Sequence, residues 1–137
     1  MELTREVVVD ASVDEVWRLI TDERELATWL ADSVTLEPRR PGAIGRMTDG
    51  DDVWRVRVDE VDTDRRLRLT WWPDGNGAAS EVTFTVEEAQ RGTRLRVRER
   101  VSGGVSPKGR RAHAAVWDQR LLGFELRCLA QAELAHC

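Results

Sequence analysis

Apolar and polar residues alternate along Glu2–Val9, a run rich in β-branched side chains, and predict a first strand there. The spacing then changes. Val13, Val16, Trp17 and Ile20 recur at i, i+3, i+4 and i+7, one apolar face of a helix. Ser12 and Glu15 form a capping box at its start, the hydroxyl accepting from the N3 amide while the Glu reaches back. Asp22 and Glu25 repeat the pattern ahead of a second short face of Leu26, Trp29 and Leu30. Two short helices are predicted, over 13–21 and 23–31.

From Ser33 the period falls to two. Short strands are predicted at Val34–Glu37, ended by Pro38, and at Ile44–Thr48, with a turn at 39–42 between them. Asp49-Gly50 is a hairpin signal. Asp52–Val61, Arg66–Trp72, Ser80–Glu88 and Thr93–Val101 follow as longer strands, separated by turns at 62–64, 73–77 and 91–92. Ser102–Gly109 reads as a loop. From Arg110 to about Ala135 there is no Pro and one Gly, Gly123, and Trp117, Leu121, Phe124, Cys128 and Ala132 keep a helical period, with Val116 beside Trp117. That predicts one long helix. No linker, repeat or low-complexity segment divides residues 1–137, so a single α+β domain of order β-α-α-β6-α is expected. A meander of about seven antiparallel strands with one apolar face needs a cover, and the last helix is the element long enough. A curved sheet wrapped around it leaves a cavity.

Strand parity separates two faces. Trp54, Val56, Val58, Leu67, Leu69, Trp71, Val82, Phe84, Val86, Leu95 and Val97 share one. Arg55, Arg57, Arg66, Arg68, Arg94, Arg96, Arg98 and Arg100 alternate opposite, interspersed with Asp59, Glu81 and Glu87. That pattern is a solvated charge ladder, not a phosphate-binding face. Trp72 follows Trp71, so one of the two points outward unless a bulge intervenes, and an outward Trp is a candidate subunit contact.

Glu99 breaks the apolar row between Val97 and Val101. A carboxylate there needs a partner, a wet cavity mouth or a bulge that turns it out, and the candidate partners are Arg46, Arg5 and His113. His113 lies one turn before Trp117: either an exposed first-turn residue or one facing the cavity beneath the 102–109 loop. Within hydrogen-bond reach, Glu99 and His113 form an acid/base pair. Trp17 and Trp117 fit the core; Trp29, Trp54 and Trp71 fit either core or cavity wall.

Composition removes other classes. The 137 residues carry a net charge of −4, with 34% charged and 41% hydrophobic residues, which excludes a generally basic or a disordered chain. Lys108 is the single Lys among 21 Lys and Arg residues, a bias that fits a GC-rich genome. No nucleic acid is expected as partner, and no membrane, since no window approaches the ~18 apolar residues of a span. The chain opens without a basic, then apolar, leader, so the cytoplasm is expected. Cys128 and Cys137 lie roughly 13 Å apart along a helix, too far for a disulfide. Cys-x-x-Cys, nucleophile-elbow, glycine-rich and P-loop motifs are absent, Cys128 has no basic activator, and His113 and His136 are too few for zinc. No metal and no cofactor are expected.

The order of elements and six short motifs resemble the helix-grip fold of the START, or polyketide-cyclase-like, superfamily (SRPBCC). Within it the chain is similar to the branch named after the activator of heat-shock protein 90 ATPase. The residues concerned are Val9 through Trp17, Thr21-Asp22 through Leu26 to Trp29-Leu30, Arg66-Leu67 with Thr70-Trp71, Ser80 through Phe84, Gly92 through Leu95, and Trp117 with Leu121 and Phe124. Val116 stands where the family prefers Gly. The resemblance spans nearly the whole chain and implies a curved sheet gripping the C-terminal helix. The superfamily holds lipid carriers, hormone receptors, aromatase/cyclases, hydrolases and chaperone cofactors, so fold does not choose the function.

The leading expectation is a carrier, sensor or sequestering protein that binds a small apolar or aromatic molecule between sheet and helix. Its expected contacts are Trp29, Trp54, Trp71, Phe84, Glu99, His113, Trp117, Leu121 and Phe124. A cyclase-, dehydratase- or hydrolase-type enzyme using Glu99 and His113 is the alternative. The branch name implies another, a protein-binding chaperone-associated module, although the eukaryotic activator has further sequence. A homodimer is also a candidate state.

Overall fold

A computed structural model describes residues 1–75 and 77–135, with side chains described to residue 132. His136 and Cys137, which entered the zinc and disulfide readings, lie outside the described residues. The elements run β1 (Glu2–Val9), α1 (Val13–Thr21), α2 (Glu23–Trp29), β2 (Ser33–Thr35), β3 (Ile44–Asp49), β4 (Asp52–Asp62), β5 (Arg66–Pro73), β6 (Ser80–Glu88), β7 (Thr93–Val101) and α3 (Pro107–Ala135). All strands join one antiparallel sheet in the order β1-β7-β6-β5-β4-β3-β2. This is the helix-grip arrangement expected.

The N-cap half of each capping box forms, but among the described residues neither Glu reaches back; Glu25 turns to Arg127 and Arg18. Ser12 Oγ accepts from the Glu15 amide at 3.2 Å, and the Asp22 carboxylate accepts from the Arg24 and Glu25 amides at 2.9 and 3.1 Å. Gly92 holds the β6–β7 turn at φ 80°, and a Cβ there would lie 1.9 Å from the Val9 carbonyl oxygen, so only glycine lets β1 end so close.

Several boundaries differ from the sequence expectation: α2 ends at Trp29 and not at residue 31, β3, β4 and β5 each run one residue further, and α3 and β2 shift more. α3 begins at Pro107 and not at Arg110. Pro107 takes the first helical position, where a missing N–H costs nothing, and the Ser106 hydroxyl accepts from the Gly109 amide at 3.0 Å. β2 starts at Ser33 and ends at Thr35, because the Leu36 amide leaves the ladder and donates to Glu23 Oε2 at 2.8 Å.

The inner face is as parity predicts. Leu67, Leu69, Trp71, Val82, Phe84, Val86, Leu95 and Val97 are all buried. Arg94 and Arg96 on the outer face each reach both Glu6 and Glu87, and Arg68 sits between Glu60 and Glu81. These exposed pairs contribute roughly 0.2–1 kcal/mol each. Trp72 is the outward member of the Trp pair and lies beneath Arg57, 6.0 Å from its guanidinium carbon. A bulge between Val58 and Glu60 leaves Asp59 unpaired in the ladder, where it accepts from Arg57 Nε at 2.7 Å. No helix among the described residues is long and apolar enough to cross a membrane.

Candidate functional site

The C-terminal half of α3 is packed solid. Phe124 meets Trp29 of α2 edge-on at 5.2 Å, Trp29 meets Phe84 of β6 at 5.9 Å, and the Trp29 Nε1 proton goes to the Leu19 carbonyl at 3.0 Å. Leu121 and Cys128 are buried on the same side. Between the N-terminal half of α3 and the sheet lies a cleft of about 500 Å³. Trp54 and Trp71 wall it from β4 and β5; Ser80, Glu99 and Val101 come from β6 and β7. Asp49 and Asp52 stand at the β3–β4 hairpin, and His113, Val116, Trp117 and Arg120 face it from α3.

The expected contact set therefore divides. Trp54, Trp71, Glu99, His113 and Trp117 line the cleft together. Phe84, Leu121 and Phe124 are core residues outside it, and Trp29 borders a shallow groove between α2 and α3 instead.

Glu99 holds its inward register opposite Val82 and Leu3 in an unbroken ladder, 3% exposed. No bulge turns it out. Its Oε1 lies 2.9 Å from His113 Nδ1 and accepts from Trp117 Nε1 at 3.3 Å. Both bonds use Oε1, and Oε2 takes none from the described residues. When Glu99 is ionised it only accepts, so Nδ1 is then the donor of the shared proton and Nε2 faces away from the carboxylate. Two of the candidate partners fall elsewhere. Arg5 pairs with Asp118 at 3.0 Å, and Arg46, on the outer face, reaches Asp74 at 3.9 Å. His113 is the partner because α3 starts early enough to place it in the second turn, half-buried over β7.

Arg120 is the residue that sequence reading missed. Its guanidinium carbon lies 4.8 Å from the Trp117 ring and 5.7 Å from the Trp71 ring, two indoles stacked 6.1 Å apart at 23°. Burial pulls its pKa below the ordinary arginine value, while the charges of Glu99 and Asp49 work the other way. Its Nε is buried and has no hydrogen-bond partner among the described residues. The signal was present: His113, Trp117 and Arg120 fall at i, i+4 and i+7, so an Arg interrupts the stripe that Leu121 and Phe124 continue. Ser80, Asp49 and Asp52 carried no such mark.

Chemically, the cleft offers aromatic walls, one carboxylate–imidazole pair and one cation without a hydrogen-bonded counter-ion. Among the described residues no three His, Cys, Asp or Glu side chains gather to hold a metal.

The family model described as Activator of Hsp90 ATPase homolog 1-like protein matches residues 10–125. No curated protein matches in sequence. Among solved structures, DynU16, from the dynemicin biosynthetic locus, is 29% identical with a TM-score of 0.82, the match covering 96% of this chain and 48% of that one. This chain thus spans about half the length of DynU16. MLL2253 from Mesorhizobium loti is 24% identical, with a TM-score of 0.79 and coverage of 96% and 98%. The Aha1 dimer from Colwellia psychrerythraea shares the fold at 15% identity, with a TM-score of 0.75 and coverage of 91% and 93%.

Proposed function

This chain belongs to the family of Activator of Hsp90 ATPase homolog 1-like proteins, and on that premise we propose that it binds a small apolar or aromatic molecule in the cleft beneath α3. The observation behind this reading is the cleft of about 500 Å³, within the usual size for small-molecule sites and lined by Trp54, Trp71 and Trp117. Large flat side chains offer contact area at little conformational cost. DynU16 is a protein of a biosynthetic locus, and by analogy this chain handles a biosynthetic product or intermediate.

The test is native mass spectrometry of the chain purified from its own host, with indole fluorescence as a second readout. A bound small molecule, reduced in occupancy by Trp54→Ala, is the expected result. An empty protein whose fluorescence ignores a panel of aromatic probes overturns the reading.

A second reading, an enzyme of cyclase, dehydratase or hydrolase type, is favoured by the 2.9 Å contact between Glu99 and His113. In it His113 Nε2 moves the proton and Glu99 holds the ring. Turnover of the co-purified molecule, lost in His113→Ala, is its signature; return of that molecule unchanged excludes it.

A further inference from the structure

Arg120 is out of balance with its surroundings. It is partly exposed at the cleft, but its Nε is buried, and a buried donor is ordinarily hydrogen-bonded. Among the described residues no acceptor bonds an N–H of Arg120 and no carboxylate lies within salt-bridge reach of it; Glu99 and Asp49 act only at longer range. The guanidinium carbon lies 4.8 Å from the Trp117 ring and 5.7 Å from the Trp71 ring. A cation–π contact satisfies charge but provides no oxygen acceptor for the N–H groups. Arg120 lines the cleft, so an acceptor in that space can meet them.

The other polar groups of the cleft do not ask for the same occupant. Oε1 of Glu99 is already bonded by His113 and Trp117. Asp52 is exposed and Asp49 partly so, both at the hairpin where water serves them.

Resting on the ligand-binding reading above, we infer that the molecule taken up by this cleft is a flat aromatic acid, its ring against Trp54 and Trp71 and its ionised oxygen, carboxylate or phenolate, on the in-plane donors of Arg120. The anion completes a charge-assisted pair in a site already partly dry, the setting in which such bonds are strongest.

Three probes with one ring separate the possibilities: 2-naphthoate, 2-naphthamide and 2-naphthylmethylamine, titrated at neutral pH by indole fluorescence and calorimetry. The acid is expected to bind about tenfold or more tighter than the amide, as for a hydrogen bond to a charged group. That ratio is expected to fall toward one in Arg120→Met and to recover in part in Arg120→Lys. An amide or amine that binds as tightly as the acid overturns the inference and leaves the ligand-binding reading standing; the amine ahead would mean that Asp49, Asp52 and Glu99 set the charge preference. If none of the three binds, both fall. The comparison on the unaltered chain decides the matter even where the Met variant fails to fold.

Discussion

Glu25 of α2 and Arg127 of α3 meet side-on in a two-bonded ion pair, Arg127 Nε to Oε2 at 2.8 Å and Nη2 to Oε1 at 3.0 Å. Arg18 of α1 reaches the same carboxylate at 3.1 Å and also bonds the Gln131 side chain. One acidic residue thus ties all three helices together. The Arg127 hydrogen bond, more than any other cause, holds the Glu25 carboxyl below its ordinary pKa; burial works against it and Arg18 adds to it.

Glu25→Gln is therefore expected to cost about 1–2 kcal/mol at neutral pH, the worth of charged hydrogen bonds from a buried carboxylate to arginines that stay partly exposed. A lowered folded pKa means that the contribution is complete above the unfolded value of about 4.5. It is lost as pH falls below that value and through the folded one. Urea denaturation at several pH values should show the gap between parent and Glu25→Gln closing from about pH 4.5 downward.

The two faces of α3 should respond oppositely. Phe124 is fully buried, whereas Leu126 is 58% exposed. Phe124→Ala is expected to cost about 3–5 kcal/mol. Leu126→Ala should stay within about 0.5 kcal/mol. Equal effects in urea melts would mean that the helix is rotated from the orientation described.

Glu99 and His113 should be energetically coupled. His113→Ala leaves the buried carboxylate with Trp117 as its remaining bonded partner, at a cost of roughly 1–3 kcal/mol. Glu99→Gln should cost less in the His113→Ala background than in the parent. A double-mutant cycle of denaturation free energies measures the coupling, and a value near zero would mean that the pair does not form.

Cys128 should be chemically silent. Burial, ahead of the nearby Glu15 and Glu125, pushes its thiol up to about 12. The thiolate is the reactive form. Iodoacetamide at pH ~8 should leave the Cys128 peptide unmodified in the folded chain and label it in urea. Rapid native labelling, read by peptide mass spectrometry, would contradict the burial.

The sheet was legible because each strand repeats one decision, inward or outward, and Phe84, Val97 and Glu99 all follow it. Glu99 could be recognised as the odd member of its row; its partner could not, since pairing across 14 residues depends on where α3 begins. That start was misplaced because Ser106 and Pro107 sit in a stretch that also holds Gly103 and Gly104, and loop composition hid a cap followed by a helix-starting proline. Arg120 was overlooked for the opposite reason. Arginine is common on this surface, and nothing in one residue's identity marks the copy whose helix turns it inward. The division of the aromatic residues was illegible too. Trp29 and Trp71 look alike in sequence and both are buried, and only the folded packing decides which of them borders the cleft.

The split along α3 has an evolutionary consequence. Its N-terminal half carries His113 and Arg120 at the cleft, while Phe124 and Cys128 are buried further along, Phe124 against Trp29 of α2. Trp117 stands between the two and serves both, lining the cleft while packing on Phe84 of β6. Exchanges at positions 113 and 120 can therefore retune the polarity of the mouth while Trp117, Phe124 and Cys128 keep the helix seated.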